Sequence, residues 1–230
     1  MDEAICGIEQ YIQKKQKAYT VAVNTDVIMK IETDEKLKEL TDKADMVFVD
    51  GKPLVWISKL YKKEIVEKIS GSDLVPKLCE TAAKKGYTIY ILGGKDGIAE
   101  QAKINLEKVY PGIKVVGTYA PPFGFENNYK ELERINSMIS DAKPDLLFAC
   151  LGCPKQEKFI YDNYQVYDAT VSVCAGATVD FLAGNVRRAP KWMSNHGLEW
   201  FYRFLQEPKR LFKRYFVDDV KILKLVWKYR

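Results

Sequence analysis

Residues 87–119 read YTIYILGGKDGIAEQAKINLEKVYPGIKVVGTY, and this stretch decides the fold class. Residues 87–93 form a continuous apolar run rich in β-branched and aromatic side chains, which is typical of a strand buried on both faces. Residues 97–110 follow with a helical pattern, and residues 113–119 form a second apolar run. A helix between two such strands predicts a parallel βαβ unit with a right-handed crossover.

The same alternation extends in both directions, over residues 19–184. Further strands are predicted at 19–24, 46–50, 145–152 and 169–176, and further helices at 34–44, 72–85, 127–142 and 154–164. Ser72 is a residue type that favours an N-cap, and Gly86 is one that favours the end of a helix. We therefore predict an α/β fold, a mostly parallel sheet with helices on both faces.

Beyond Gly184 the alternation stops, and the remainder is predicted to be helices and turns punctuated by Pro190 and Pro208. Residues 199–230 hold nine Lys/Arg against four Asp/Glu, an excess of +5 that equals the net charge of the whole chain. Residues 1–198 are therefore neutral. These two changes predict a sheet domain at 1–190 and a basic, aromatic-rich appendage at 191–230.

The composition is that of a globular protein of a reducing compartment. The first sixteen residues are polar and charged, which argues against a signal peptide. No apolar run approaches the roughly 20 residues that span a bilayer. Cys150 and Cys153 form a C-x-x-C, but no second pair accompanies them, so structural cysteines are favoured over zinc or redox chemistry. We expect a cytoplasmic chain with peripheral membrane contact.

Polar residues and glycines follow the predicted strands. Ligands of parallel sheets bind outside the carboxyl ends of the strands, and Asn24, Asp50, Gly93 and Gly94 stand at such ends. Asp50 suits a general base whose pKa is raised by poor solvation, although an Asx turn with the next residue is an alternative. Asn24 suits either a ligand contact or a helix N-cap. The two glycines suit an approaching anion or a tight turn.

The stretch 183–215 combines arginines with large aromatic side chains. Arg187 and Arg188 precede a proline, and a guanidinium binds phosphate oxygens with two parallel hydrogen bonds. Arg203, Arg210 and Arg214 are spaced seven and four apart, close to one helical face if Pro208 opens a new helix. A solvated charged face is the alternative, but the interleaved aromatics favour a surface that meets phosphate groups or a membrane.

Several motifs, in this order, resemble the WecG/TagA/CpsF glycosyltransferases over roughly residues 19–215. They are DGKPLVW (50–56), SGSDL (70–74), YILGGKDGIAEQA (90–102), YPGIKVVGTY (110–119), LGCPKQEKFI (151–160), AGNVRRAP (183–190) and GLEWFYRFLQEPKR (197–210). The combination of PKQE, RAP and GLEW-x-YR is highly specific. The resemblance implies a Rossmann-like fold with a helical, membrane-associating C-terminal appendage.

The same resemblance implies an inverting transfer from a UDP-sugar to a polyprenyl-diphosphate-linked sugar on the cytoplasmic leaflet, without a metal or other cofactor. Asp50 matches the proposed base, and Asn24 matches a donor-site asparagine. Arg203, Arg210 and Arg214 fall among the appendage cations that meet the diphosphate and the membrane. The candidate substrate-binding residues are the polar residues and glycines of the motifs, namely Asn24, Lys68, Asp73, Gly93, Gly94, Gln156, Glu157, Arg187 and Arg188.

Three positions depart from the family pattern. Ala22 stands where a threonine is usual, Lys68 replaces an arginine, and TYAPPFGFE (118–126) replaces a shorter segment. Transfer chemistry is unaffected, but the donor stays open between an N-acetylmannosamine-like sugar and glucose or another hexose derivative. The sequence also leaves open a homo-oligomer.

Two other functional classes compete with glycosyl transfer as interpretations of the sequence. A non-catalytic binding module for nucleotide-sugars or nucleic acid is one alternative, but the neutrality of residues 1–198 argues against nucleic acid, which requires a basic stripe across the fold. A nicotinamide oxidoreductase would need G-x-G-x-x-G followed by an acidic residue, and both are missing.

Overall fold

The computed structural model describes residues 1–229, apart from the side chains of Lys191, Asn195 and Arg210. Six strands form one sheet in the order β2-β1-β6-β5-β3-β4, and every neighbouring pair is parallel. The predicted sheet is confirmed, with each strand within about two residues of its predicted ends. The strands are β1 Ala18–Val23, β2 Met46–Val49, β3 Thr88–Gly93, β4 Lys114–Tyr119, β5 Leu146–Cys150 and β6 Val171–Cys174.

Within the described residues, nine helices surround the sheet, and they cover both of its faces as predicted. They are α1 Asp2–Lys14, α2 Thr25–Ile31, α3 Glu35–Asp42, α4 Lys52–Leu60, α5 Gly71–Lys85, α6 Ile98–Val109, α7 Tyr129–Ala142, α8 Lys155–Asn163 and α9 Thr178–Leu182. Buried side chains of α1, α5, α6 and α9 form the core on one face. Those of α2, α3, α7 and α8 form the core on the other face. The fold is therefore Rossmann-like.

Four of these helices, α1, α2, α4 and α9, were not predicted. In α1, Ala4, Ile8 and Ile12 recur every fourth residue and are buried, so this one carries a readable apolar stripe. The other three have at most nine residues and begin within four residues of a strand end. Their apolar residues follow closely on those of the strand, so the change from the two-residue period of a strand to the 3.6-residue period of a helix is hard to recognise.

The start of α5 corrects one prediction. Ser70, not Ser72, is the N-cap, because its side chain accepts a hydrogen bond from the backbone N–H of Asp73 at 3.2 Å. The predicted end is confirmed, since Gly86 has a φ of 77° and ends the helix in the left-handed region. The cap lies two residues earlier than predicted, and Asp73 lies in the first turn of the helix.

The C-terminal segment is helical and folds back onto the sheet domain. It contains α10 Lys191–Asn195, α11 Glu199–Gln206, α12 Pro208–Lys213 and α13 Ile222–Lys228, with a π-helical turn at Arg214–Asp218 and a 3-10 turn at Asp219–Lys221. Pro208 opens a helix as predicted. Leu211 and Ile222 are buried, and the Tyr61 hydroxyl donates to the Val226 carbonyl oxygen at 2.7 Å. No helix of residues 1–229 is both long and apolar enough to cross a membrane.

Candidate active site

The strand order places the residues that follow each strand in a row along the carboxyl edge of the sheet. The row runs from Asp50 after β2, through Asn24 after β1, Gly176 after β6 and Gly152 after β5, to Gly97 after β3. Neighbouring strands are about 4.8 Å apart, so the row is a continuous line of closely spaced loops. This edge is where parallel sheets bind their ligands.

Asp50 is held directly at the end of β2. Its backbone N–H donates to the Val23 carbonyl oxygen at 2.8 Å, and Gly51, with a φ of 119°, turns the chain into α4. Burial raises the pKa of Asp50 to about 6, while the nearby positive charge of Lys68 acts in the opposite direction. A carboxylate with a pKa near neutrality is suited to accept a proton in solution near pH 7.

An ionic cluster surrounds Asp50. The Nζ of Lys68 lies 3.2 Å from Oδ2 of Asp73 and 3.6 Å from Oε2 of Glu199, and Arg188 forms an ion pair with Asp73. Burial alone would raise the pKa of Asp73, but hydrogen bonds from Ser70 and Arg188 hold it below its usual value. Lys68 and Arg188 are thus balanced by fixed carboxylates beside the candidate base.

Two of the cluster residues come from distant parts of the chain. The segment after α4 returns beside β2, where the Ile69 N–H donates to the Val49 carbonyl oxygen at 2.9 Å, and this places Lys68 next to Asp50. Glu199 belongs to α11 and accepts a hydrogen bond from the Ser194 hydroxyl at 3.0 Å. Sequence reasoning missed Glu199 and Ser70 as site residues, although both lie inside motifs of the resemblance.

The two arginines after α9 make different contacts. Both side chains are exposed, and Arg188 enters the ionic cluster through its ion pair with Asp73. The carbonyl oxygen of Arg187 accepts a hydrogen bond from Nε2 of Gln206 at 3.1 Å, which ties this loop to the end of α11. Within the cluster, Arg188 is therefore the member of the pair that contacts another candidate residue.

Asn24 caps α2 and stands beside a second set of charges. Its Oδ1 accepts a hydrogen bond from the Val27 N–H at 3.1 Å. Of the two roles predicted for Asn24, this oxygen therefore has that of a helix N-cap. Next to it, Oδ2 of Asp26 accepts from Nζ of Lys30 at 2.8 Å and lies 3.8 Å from a guanidinium nitrogen of Arg214. The end of β1 is thereby connected to the appendage.

The appendage arginines reach the edge at two different places. The Arg203 guanidinium lies over the Phe181 ring at 5.5 Å and is close enough to lower the pKa of Asp50. Its Nε is buried and finds no hydrogen-bond partner among the described residues. Arg214 lies on the Asp26 side, with its Nε 3.9 Å from Oδ2 of Asp219. The side chain of Arg210 lies outside the described residues.

The glycines at the carboxyl edge have different surroundings, and only some positions require glycine for close packing. A Cβ on Gly93 would lie 2.4 Å from the Cys150 carbonyl oxygen, so the close packing of β3 against β5 requires glycine there. A Cβ on Gly94 would meet Val179 at 3.3 Å. Gly97, Gly152 and Gly176 instead face open space, with no atom within 4 Å of a built Cβ. These last three follow β3, β5 and β6, which are neighbours in the sheet, and we call them the open glycines.

Gln156 and Glu157 lie in the first turn of α8 and are both buried. Oε1 of Gln156 accepts from the Gly176 N–H at 3.1 Å, and its Nε2 donates to Oε1 of Glu157 at 2.8 Å. Burial raises the pKa of Glu157. This pair joins the loop after β5 to the loop after β6, and the Gln156 N–H donates to the Gly152 carbonyl oxygen at 3.0 Å.

The remaining candidates for chemistry are structural. Cys150 and Cys153 are unpaired thiols, and burial raises the pKa of Cys150 to about 12. His196 is exposed and its Nδ1 lies 2.7 Å from the Trp192 carbonyl oxygen in the preceding turn. Among the described residues, no three His, Cys, Asp or Glu side chains are grouped as they would be around a metal ion.

Aromatic side chains of the appendage pack on one another and remain largely exposed. Trp200 contacts Phe201, Tyr215 and Phe216, with ring centroids 5.8 to 6.3 Å apart. Phe216 also contacts Phe204 and Phe212. We call these six residues the aromatic cluster. Trp192 and Trp227 of the appendage, and Trp56 and Leu60 of α4, are also exposed.

Comparison with known proteins gives a consistent result. The family model described as the glycosyl transferase WecG/TagA/CpsF family matches residues 1–230. A Bacillus subtilis protein named N-acetylglucosaminyldiphosphoundecaprenol N-acetyl-beta-D-mannosaminyltransferase is 30% identical over 203 residues, covering 88% of this chain and 77% of the relative. A Bacillus spizizenii protein of the same name is 28% identical over 201 residues, covering 87% of this chain and 76% of the relative.

Proposed function

The chain belongs to the WecG/TagA/CpsF family of glycosyltransferases, and on this premise we propose that it transfers a sugar from a UDP-sugar to a polyprenyl-diphosphate-linked sugar. The two Bacillus relatives are named for an acceptor of this kind, N-acetylglucosaminyldiphosphoundecaprenol. The observation that carries the proposal is Asp50, a carboxylate at the carboxyl edge whose pKa burial raises to about 6 and which the charges of Lys68 and Arg203 influence.

The proposed reaction is a single displacement with inversion. Asp50 takes the proton of the acceptor hydroxyl as that oxygen forms a bond to the anomeric carbon of the donor. The bond from the anomeric carbon to the phosphate oxygen breaks, and its electron pair leaves with UDP. Fixed cations stabilise the charge that develops on the diphosphate, because they need no reorganisation at the moment of reaction. Arg203 and Lys68 on the Asp50 side, and Arg214 beside Asp26, are the proposed cations.

The other candidate residues are proposed to bind substrate in three groups. Asn24 and the backbone around Gly93 and Gly94 would support the donor along the edge. Gln156 and Glu157 would fix the loop at Gly176. Asp73 would orient Lys68 and Arg188, while Arg187 and Arg210 would add cationic charge beside the appendage. Each assignment combines placement in this structure with the family motifs quoted above.

For the donor, the names of the relatives favour an N-acetylmannosamine derivative. Ala22, Lys68 and the segment 118–126 keep glucose or another hexose derivative as an alternative. The pathway would be the synthesis of a cell-wall teichoic acid linkage or of an exopolysaccharide, since these begin from a sugar on a polyprenyl diphosphate.

We also propose that the chain acts as two parts, a catalytic domain at 1–190 and an appendage at 191–230 that touches the inner face of the cell membrane. The exposed aromatic cluster supports this, because aromatic side chains favour the membrane interface. The excess of Lys/Arg over Asp/Glu in residues 199–230 supports it too, because anionic lipids attract basic segments.

The test is a donor screen with the full chain. UDP release would be measured with UDP-N-acetylmannosamine, UDP-N-acetylglucosamine and UDP-glucose, each with and without a polyprenyl-diphosphate-linked N-acetylglucosamine. We expect release that depends on the acceptor with one donor, and a product with inverted anomeric configuration. UDP binding without transfer from any donor would instead favour a non-catalytic binding module.

A further inference from the structure

The segment TYAPPFGFE (118–126), which departs from the family pattern, displays a bare aromatic ring at the carboxyl edge. Phe123 is 99% exposed. Two residues later, Phe125 is buried and packs edge-on against Phe159, with ring centroids 6.1 Å apart. The segment is therefore anchored in the core immediately beside the ring that it exposes.

Lys155, which follows the neighbouring loop, contacts the Phe123 ring. Its Nζ lies 4.5 Å from the centroid of the Phe123 ring, and the same ammonium forms an ion pair with Glu126. Lys155 is the first residue of α8, just after the loop that follows β5. The contact joins the β4 and β5 loops and leaves the Phe123 ring open to a ligand.

The strand order places Phe123 and Asp50 apart along the carboxyl edge of the sheet. Asp50 follows β2, whereas Phe123 contacts the loop after β5, three strands away in the sheet. At about 4.8 Å per strand, this separation is about 14 Å along the edge. Gly176 lies between the two, Gly152 lies at the Phe123 end, and the space above both glycines is open. A carboxylate and an aromatic ring therefore flank an open stretch of the edge.

We propose that Phe123 is the platform on which the uracil base of the donor stacks. In a UDP-sugar, the planar base and the anomeric carbon are at opposite ends of an extended molecule, with the diphosphate between them. With the anomeric carbon at Asp50, the diphosphate lies between Arg214 and Gly176, and the base reaches Phe123. This inference rests on the proposed function and assigns the direction in which its donor lies.

The experiment is a calorimetric titration of the full-length chain with UDP, and separately with inorganic pyrophosphate, which has no base. We expect Phe123→Ala to weaken UDP binding about tenfold, within the range measured for stacking of a base on an aromatic side chain. Phe123→Trp should bind UDP as the unaltered chain does. Pyrophosphate binding should be the same in all three proteins, and the KM for the donor should rise in Phe123→Ala while kcat and the acceptor KM stay unchanged.

Val66→Ala is the matched control, because Val66 is 96% exposed and lies in the coil between α4 and α5. Unaltered UDP binding by Phe123→Ala would overturn the inference and leave the proposed function standing. An equal loss of pyrophosphate binding would also overturn it, since the loop and not the stack would then be responsible. A loss of vesicle binding alone would assign Phe123 to the lipid surface. Failure of the unaltered chain to bind UDP would overturn the proposed function itself.

Discussion

The sheet domain and the appendage place their large apolar side chains in opposite environments. Leu92 and Phe148, at the centre of the sheet, are at most 1% exposed, whereas Phe212 and Trp227 of the appendage are 56% and 83% exposed. Burial of apolar surface is the main favourable term in folding, so most of this term comes from the sheet domain. The appendage contributes few buried residues, among them Leu211 and Ile222, and leaves much of its apolar surface exposed. The sheet domain therefore holds both the core and Asp50, whereas the appendage holds the exposed apolar surface.

Removal of residues 191–230 should have the largest effect. We expect turnover near background and loss of vesicle binding, because Arg203, Arg214 and the aromatic cluster all leave. The far-ultraviolet circular dichroism should still show the folded α/β domain, since α1–α9 cover both faces of the sheet. Turnover above about a tenth of the full-chain value, or an unfolded fragment, would contradict a functional division near residue 190.

Asp50→Asn should lower kcat about 10²- to 10⁴-fold, the range for loss of a general base. The thermal midpoint should not fall, because the pKa of Asp50 is raised by burial and a neutral amide avoids that cost. Steady-state UDP release is the measurement. Asp141→Asn is the control, since this exposed carboxylate lies on α7. Equal turnover by Asp50→Asn and the control would remove Asp50 from the role of base.

Arg203→Ala should lower kcat about 10²-fold, comparable to removal of one fixed donor from a developing negative charge. Arg203→Lys should restore only part of the rate, because an ammonium lacks the planar fork of a guanidinium. Single-turnover UDP release would measure the chemical step directly. If Arg203→Ala changes only vesicle binding, its contribution is to the membrane and not to the leaving diphosphate.

The rate should depend on pH through Asp50. A base acts only when deprotonated, so kcat/KM should be half-maximal near pH 6, the raised pKa of this group, and fall below it. At pH 5 about a tenth of the maximal value should remain, as expected for one group titrating a unit below its pKa. Asp50→Asn should abolish this dependence on the acid side. A pH-independent rate between pH 5 and 7 would exclude the assignment.

Trp227→Ala should have the smallest effect, and it should still distinguish the membrane binding of the appendage from that of the sheet domain. The free energy of unfolding should change by less than about 0.5 kcal/mol, as is usual for an exposed side chain. Binding to vesicles that contain anionic lipid should weaken several-fold, measured by co-sedimentation. Val66→Ala, an equally exposed position of the sheet domain, should leave vesicle binding unchanged. Equal effects of the two substitutions would mean that the appendage is not a special membrane surface.

The sequence was most informative where an element carries its own periodicity. The six strands and helices α3, α5, α6, α7 and α8 were predicted within about two residues, because each has a distinct apolar pattern bounded by polar residues or glycine. Helices α2, α4 and α9 were missed because they are short and follow closely on a strand. The cap at Ser70 was missed because Ser72 has the same residue type two positions away, and only the backbone conformation distinguishes them.

The residues of the candidate site could likewise be predicted only in part. Asp50 and Asn24 could be predicted individually, since they end strands of a parallel sheet. Their partners could not, because Lys68 reaches Asp50 only through the return of the chain beside β2, and Glu199 reaches it from α11. The three appendage arginines looked like one helical face, but Arg203 and Arg214 belong to separate elements on different sides of the edge.

By itself, the sequence determined the parallel α/β class, the neutral domain with its basic appendage, and the family. Apolar periodicity, charge and motif spacing are local properties that can be read along the chain. Only the tertiary structure decided which strands are neighbours, and through them the row from Asp50 to Gly97 and the pairing of Lys68 with Asp73 and Glu199. Strand order depends on how all the crossovers pack together, and it brings together side chains that lie more than a hundred residues apart.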